Sequence, residues 1–143
     1  MKSLAVLFFF VGILCLFSSG SAFEASRKQQ QAQSVALNYA LWRAEVLRYV
    51  FDGHKEAGDI PFVQLQLPVG WLPLRPWKAR VEDGHCYAYG PASVEEIELV
   101  RDLFKQTFAL GRAENGKLVP GHGQIVPVPG IPEGSLVSVV NLD

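Results

Sequence analysis

Leu4 to Phe17 carries no charged residue, and this 14-residue run sets the terms for everything after it. Lys2 precedes it. Ser18-Ser19-Gly20-Ser21-Ala22-Phe23 follows, before a switch to Glu24, Arg27, Lys28 and a run of glutamines. A basic start, an apolar stretch and a small-residue end make the layout of an export signal or a membrane anchor. As a helix the run covers about 21 Å, short of a bilayer core of about 30 Å, which suits a signal peptide. Gly20 and Ala22 fit the small-residue positions of a cleavage site after Ala22. Extended to Phe23 the segment reaches 20 residues, enough to span. Residues 1–23 therefore read as a signal peptide or an anchor, and 24–143 as a single periplasmic domain. The product faces the periplasm from the inner membrane, or is soluble there after cleavage near Ala22. Cys15 follows the bulky Leu14, where lipoprotein processing needs a small residue, so it reads as an apolar filler.

Past Ala22 the chain has 121 residues, 12 basic and 14 acidic. That length supports one core and is too short for two. No basic patch stands out, so nucleic acid is not an expected partner. Cys86 is alone in this part of the chain, which excludes an intradomain disulfide. A lone cysteine in a strand-like run reads as a small buried apolar residue.

Apolar residues recur at helical spacing through Ala32, Val35, Ala36, Tyr39, Ala40, Val46, Leu47 and Val50, predicting one long helix over 25–51. Asp52-Gly53 ends it. Arg27 to Gln33 is polar all round and reads as a stalk, with the core beginning near Val35. Ile60–Leu67 reads as a short extended stretch. Pro68, Pro73 and Pro76 then forbid a central strand. Trp77–Val81 and Cys86–Tyr89 read as a hairpin around Asp83-Gly84. Ser93 and Glu96 form a capping box that opens a second helix over 94–110. Its buried stripe is Ile97, Val100, Leu103, Phe104 and Phe108. Glu98, Arg101, Asp102 and Lys105 make its wet face, and Gly111 its stop. The last third is rich in Gly and Pro, with short strands at 117–119 and 124–128. Leu136–Leu142, apolar on both faces, reads as a central strand. The sum is a single α+β domain: a long N-terminal helix on a small, mainly antiparallel sheet, with the second, capped helix covering the same or an adjacent face.

No constellation of catalytic residues emerges. His54, His85 and His122 pair with no second ligand at metal-binding spacing. His85 and Cys86 are adjacent on a strand and point to opposite faces, so they cannot act as base and thiol. Gly121-His122-Gly123 lacks the Lys-Ser/Thr and the following helix of a phosphate loop. Glu95, Glu96 and Glu98 form the solvated start of a helix. Catalytic, metal and cofactor sites are therefore expected to be none, and the protein to be no enzyme. The aromatics are more numerous than one helix stripe needs: Tyr39, Trp42, Tyr49, Trp71, Trp77, Tyr87 and Tyr89. Core packing accounts for most. Trp71, in the Pro-rich loop, is the candidate partner contact, against the plainer reading that it folds back onto the first helix.

Several pieces occur in a familiar order: Leu67-Pro68-Val69-Gly70-Trp71, Trp77, Gly84-His85-Cys86-Tyr87-Ala88-Tyr89-Gly90, Gly116, and Ile131-Pro132-Glu133-Gly134-Ser135-Leu136-Val137. Together they resemble the small PilM family of thin (type IVB) pilus biogenesis, and not the longer actin-like ATP-binding protein that shares the name. The resemblance covers roughly 35–142. It implies a non-enzymatic envelope protein of conjugative-type pili, part of the basal body or pilin-export apparatus. Its partners would be other pilus assembly proteins, and the membrane if the N-terminal segment is uncleaved. Two alternatives stay open: a minor-pilin-like subunit that enters the fibre, and a small exported thiol enzyme or hydrolase centred on Cys86.

Overall fold

The computed structural model describes residues 2–106, 109–119 and 125–143, with side chains from Ala22 onward. Phe108 and His122, both singled out above, lie outside the described residues. Helix α1 runs unbroken from Lys2 to Phe51. At about 1.5 Å per residue its 50 residues extend about 75 Å, so most of it cannot be covered by so small a domain. Residues 22–31 are indeed exposed, and burial begins at Ala32. From there one face is buried: Ala32, Val35, Ala36, Tyr39, Trp42, Val46 and Val50. The 3.6-residue period of the sequence therefore marks the packed half of α1, and the polar stalk sits where expected. Among residues with described side chains no helix is long and apolar enough to cross a membrane. The run Leu4–Phe17 falls outside that set.

Among the described residues six strands form one antiparallel sheet: β1 Gly58–Asp59, β2 Lys78–Glu82, β3 His85–Gly90, β4 Leu110–Glu114, β5 Lys117–Val119 and β6 Leu136–Asn141. Their spatial order is β1-β2-β3-β6-β4-β5. The β2–β3 hairpin turns through Asp83 and Gly84, both at positive φ (48° and 72°), the requirement of a tight two-residue turn. Asn115-Gly116 repeats the device between β4 and β5. Strand β6 lies between β3 and β4, with Leu136, Val137, Ser138 and Val139 all buried. Its two apolar faces are covered by different things. Helix α1 and helix α2, Val94–Leu103, pack on one face with Val81, Cys86, Ala88 and Leu136. Val128 and Ile131, from the Gly/Pro-rich segment, cover Tyr87, Val137 and Val139 on the other. There Arg80 lies over the rings of Tyr87 and Tyr89 and donates to the Pro129 carbonyl.

The capping box is present: Glu96 N–H donates to Ser93 Oγ (3.1 Å), and Ser93 N–H to the Glu96 carboxylate (3.3 Å). The end of α2 differs from the sequence expectation. The helix stops at Leu103, Lys105 and Gln106 take positive φ (53° and 56°), and Gly111 is a buried residue of β4 instead of a helix stop. Leu110 and Gly111 pair with Ser138 and Val137 of β6. That ladder, with Leu110 fully buried, outweighs another helical turn. As a result Leu103, expected in the core, is 48% exposed, and Arg101, expected to be wet, is part-buried. Two strand expectations also shrink. The stretch from Ile60 contains a 3-10 turn, Phe62–Gln64, the strand lying just before it at Gly58–Asp59. In the 124–128 stretch the described residues supply a single bridge, Lys117 to Pro127. Ile97→Ala is expected to cost about 2–5 kcal/mol, and Leu103→Ala no more than about 0.5 kcal/mol. Urea melts of the two variants check this, and comparable losses would place Leu103 back in the core.

Candidate partner-contact site

Residues 60–77 connect β1 to β2 without regular structure apart from the 3-10 turn. Prolines at 61, 68, 73 and 76 remove backbone donors and fix φ, so the loop cannot be held by a ladder of its own. It is held by α1. Asn38 Nδ2 donates to the Leu72 carbonyl (2.8 Å), while Asn38 Oδ1 accepts from Leu74 N–H (2.9 Å) and from Trp77 Nε1–H (2.8 Å). One carboxamide thus fixes three points of the loop. Nothing in the apolar period of the helix signals this role, and sequence reasoning missed it. Pro68 to Trp71 closes a turn, with Trp71 N–H donating to the Pro68 carbonyl (3.0 Å) and Gly70 at φ 80°, a position that favours glycine.

The aromatics line up across this junction. Trp77, Trp42, Phe62 and Trp71 form a row with ring centroids 6.1, 6.1 and 6.0 Å apart and interplanar angles of 22–28°. Tyr39 meets Trp77 edge-on at 5.0 Å, and its hydroxyl donates to the Ala88 carbonyl at 2.7 Å. Trp77 and Trp42 are fully buried and Trp71, at the outer end, is half-buried. Trp71 Nε1 is enclosed with no hydrogen-bond partner among the described residues, so the indole itself is held by packing against Phe62. Gly90 gives the inner end its room: a Cβ there would lie 2.4 Å from Trp77 Cε3.

Trp71 was the residue expected to meet a partner. Most of its side chain turns inward, and its neighbours are the exposed ones. Val63 and Val69 are almost wholly solvated, Leu72 is 74% exposed and Leu74 nearly half. Leu37 and Leu41, flanking Asn38 on α1, are also exposed. Six aliphatic side chains on a stiff loop and the helix that pins it make a surface suited to another protein. The sequence signal was available in the alternation of Val69, Leu72 and Leu74 with prolines, where no strand could bury them.

The other chemical candidates separate. His54 stacks on Tyr49 at 4.0 Å, and His85 Nδ1 lies 2.8 Å from the Asp83 carbonyl. Among the described residues no group of three or more His, Cys, Asp or Glu could hold a metal ion. Cys86 is 1% exposed, and burial pushes its thiol up to about 11, with Arg43 opposing weakly. Such a thiol is neither ionised nor reachable near neutral pH.

A family model described as PilM matches residues 6–139 of the chain. No curated protein matches it. Among solved structures the chain is similar to one described as PilM from Escherichia coli B7A. That likeness has a TM-score of 0.62 and 15% sequence identity, over 79% of this chain and 94% of the other. At that identity it speaks to the fold.

Two measurements test the site's interior. Asn38→Ala leaves the buried Trp77 indole without an acceptor and frees the loop, at an expected cost of about 2–4 kcal/mol. A loss below about 0.5 kcal/mol in a denaturant melt would mean the clamp is idle. Cys86 holds its proton longer folded than unfolded, where the ordinary value is near 9. Its contribution is fully present below that pH and is lost as the pH rises from there towards 11. Burial shifts Tyr39 in the same direction. The melting midpoint is therefore expected to fall between pH 9 and 11, less steeply in Cys86→Ala. A midpoint flat across that range would indicate a solvated thiol.

Proposed function

Because the chain belongs to the PilM family, and so has a pilus-related role, we propose that it is a non-enzymatic envelope component of type IVB pilus biogenesis, part of the basal body or pilin-export apparatus. Its work is protein–protein contact. The observation that carries this is the exposed aliphatic collar around Trp71, held by prolines and by Asn38. A surface already ordered loses little conformational freedom on binding. Placed on a continuous helix that leads back into an uncharged run, it suits a subunit anchored in the inner membrane and facing the periplasm. The enclosed thiol of Cys86 weighs against the thiol-enzyme alternative.

Leu72→Asp and Val69→Asp put charge on the collar without touching the core. Both variants are expected to keep the melting midpoint within about 0.5 kcal/mol of stability, yet to lose co-purification with pilus assembly proteins from membranes. Trp71→Ala is expected to lower the midpoint, as a member of the aromatic row. A periplasm-active reporter fused after Asp143 reads the compartment in the same cells. Full retention of partners by both aspartate variants, or a silent reporter, would overturn the proposal.

A further inference from the structure

A second surface lies on the shoulder where the stalk leaves the domain. A groove of about 720 Å³ opens there between α1 and α2. That size falls within the about 300–1,000 Å³ usual for small-molecule sites. Ala25, Gln29 and Ala32 line it from α1, and Leu99 from α2. Most of its charges are already paired. Arg75 and Glu96 neutralise each other at 2.6 Å, and Glu96 also closes the capping box with Ser93. Glu98 holds Arg101 at 2.7 Å. Lys28 of α1 and Glu95 of α2 are different. Both line the groove, both are exposed, and neither enters an ion pair among the described residues. Lys28 stands on the ridge between this groove and an adjoining shallow cleft that holds Glu24 and Arg27. The groove therefore offers charges of both signs, one from each helix, facing a common space without meeting.

The height of the groove is set by the chain. Leu4 to Phe23 is 20 residues without a charge, and α1 is continuous through it. As a helix that segment measures about 30 Å, the thickness of a bilayer core. With Phe23 at the hydrocarbon edge, Ala25 and Lys28 stand about 3 and 8 Å beyond it. The headgroup layer on each side of the core is about 5–7 Å deep. Helical side chains lean towards the N-terminus, which here is towards the membrane, so the Lys28 ammonium drops into that layer. The lower part of the groove thus opens among headgroups.

We propose that the groove seats one phospholipid headgroup of the surrounding bilayer, and that the headgroup is a zwitterion with a primary ammonium. Its phosphate, joined to the glycerol at the membrane surface, meets Lys28. Its free ammonium end donates to the Glu95 carboxylate, a charge-assisted hydrogen bond. A quaternary ammonium has no N–H to give and is recognised by aromatic faces, and no aromatic residue lines this groove among the described residues. An anionic headgroup would satisfy Lys28 and be repelled by Glu95. The inference rests on the anchored reading given above.

The test uses the full chain, extracted from membranes in mild detergent and mixed with equal amounts of phosphatidylethanolamine, phosphatidylcholine and phosphatidylglycerol. Native mass spectrometry is expected to show one retained phosphatidylethanolamine, favoured about tenfold over each of the others, the scale of one charge-assisted hydrogen bond. Both charges are exposed, so their variants keep the fold. Glu95→Gln is expected to level phosphatidylethanolamine with phosphatidylcholine, and Lys28→Gln to weaken the retention of both. A wild-type chain that retains the three lipids alike, or an unchanged preference in Glu95→Gln, would overturn the headgroup site while leaving the anchoring and the pilus role untouched. A chain missing from the membrane fraction would overturn the anchoring and the site with it.

Discussion

The side chain of Asn38 is the contact on which the rest of the architecture turns. Its carboxamide joins α1, the Pro-rich loop and the start of β2 through bonds to Leu72, Leu74 and Trp77. A segment with so many prolines has few backbone donors to offer a sheet, so its order must come from outside. Asn38 supplies it from the helix next to Tyr39. The indole it anchors is packed against Trp42 and Tyr39 and presses on Gly90, the last residue of β3. Loop, helix and sheet are therefore registered to one another at a single place, and the aromatic row extends that registration outward to Trp71.

The centre of the sheet obeys a different constraint. Strand β6 is apolar on both faces, and an antiparallel strand of that kind needs two covers. The helices supply one. The other comes from a segment with too much glycine and proline to form its own element, which lays Val128 and Ile131 over Tyr87 and Val139. A small chain thus obtains a second cluster without a second layer of regular structure. The same demand explains where α2 ends. Leu110 and Gly111 are needed on the free side of β6, so the chain leaves the helix before the helical period of its sequence is spent.

These particulars show what was legible in the residues. The packed half of α1, the Asp83-Gly84 hairpin, the capping box and the central place of β6 follow from local chemistry, and each was read from it. The C-terminal limit of α2 was not, because Leu103, Phe104 and Leu110 satisfy a helical stripe as well as they satisfy a turn followed by a strand. Only the pairing with β6, a contact between residues about 28 apart in sequence, decides between them. Trp71 was legible as a residue at the margin of the core, but not which of its sides would be wet. That depends on Phe62, nine positions away, and on a polar residue of α1 that apolar periodicity passes over.

The placement of these features gives the molecule two ends with separate physics. Around Trp71 the chain is fixed by packing and by one side chain, so its exposed aliphatics are presented by a stiff surface, as a contact with a different protein requires. At the shoulder the stalk is fixed only by being a helix, and what it presents is charge and small side chains. The continuity of α1 from Lys2 to Phe51 links the two. A rod without a hinge transmits the orientation of the stalk to the domain.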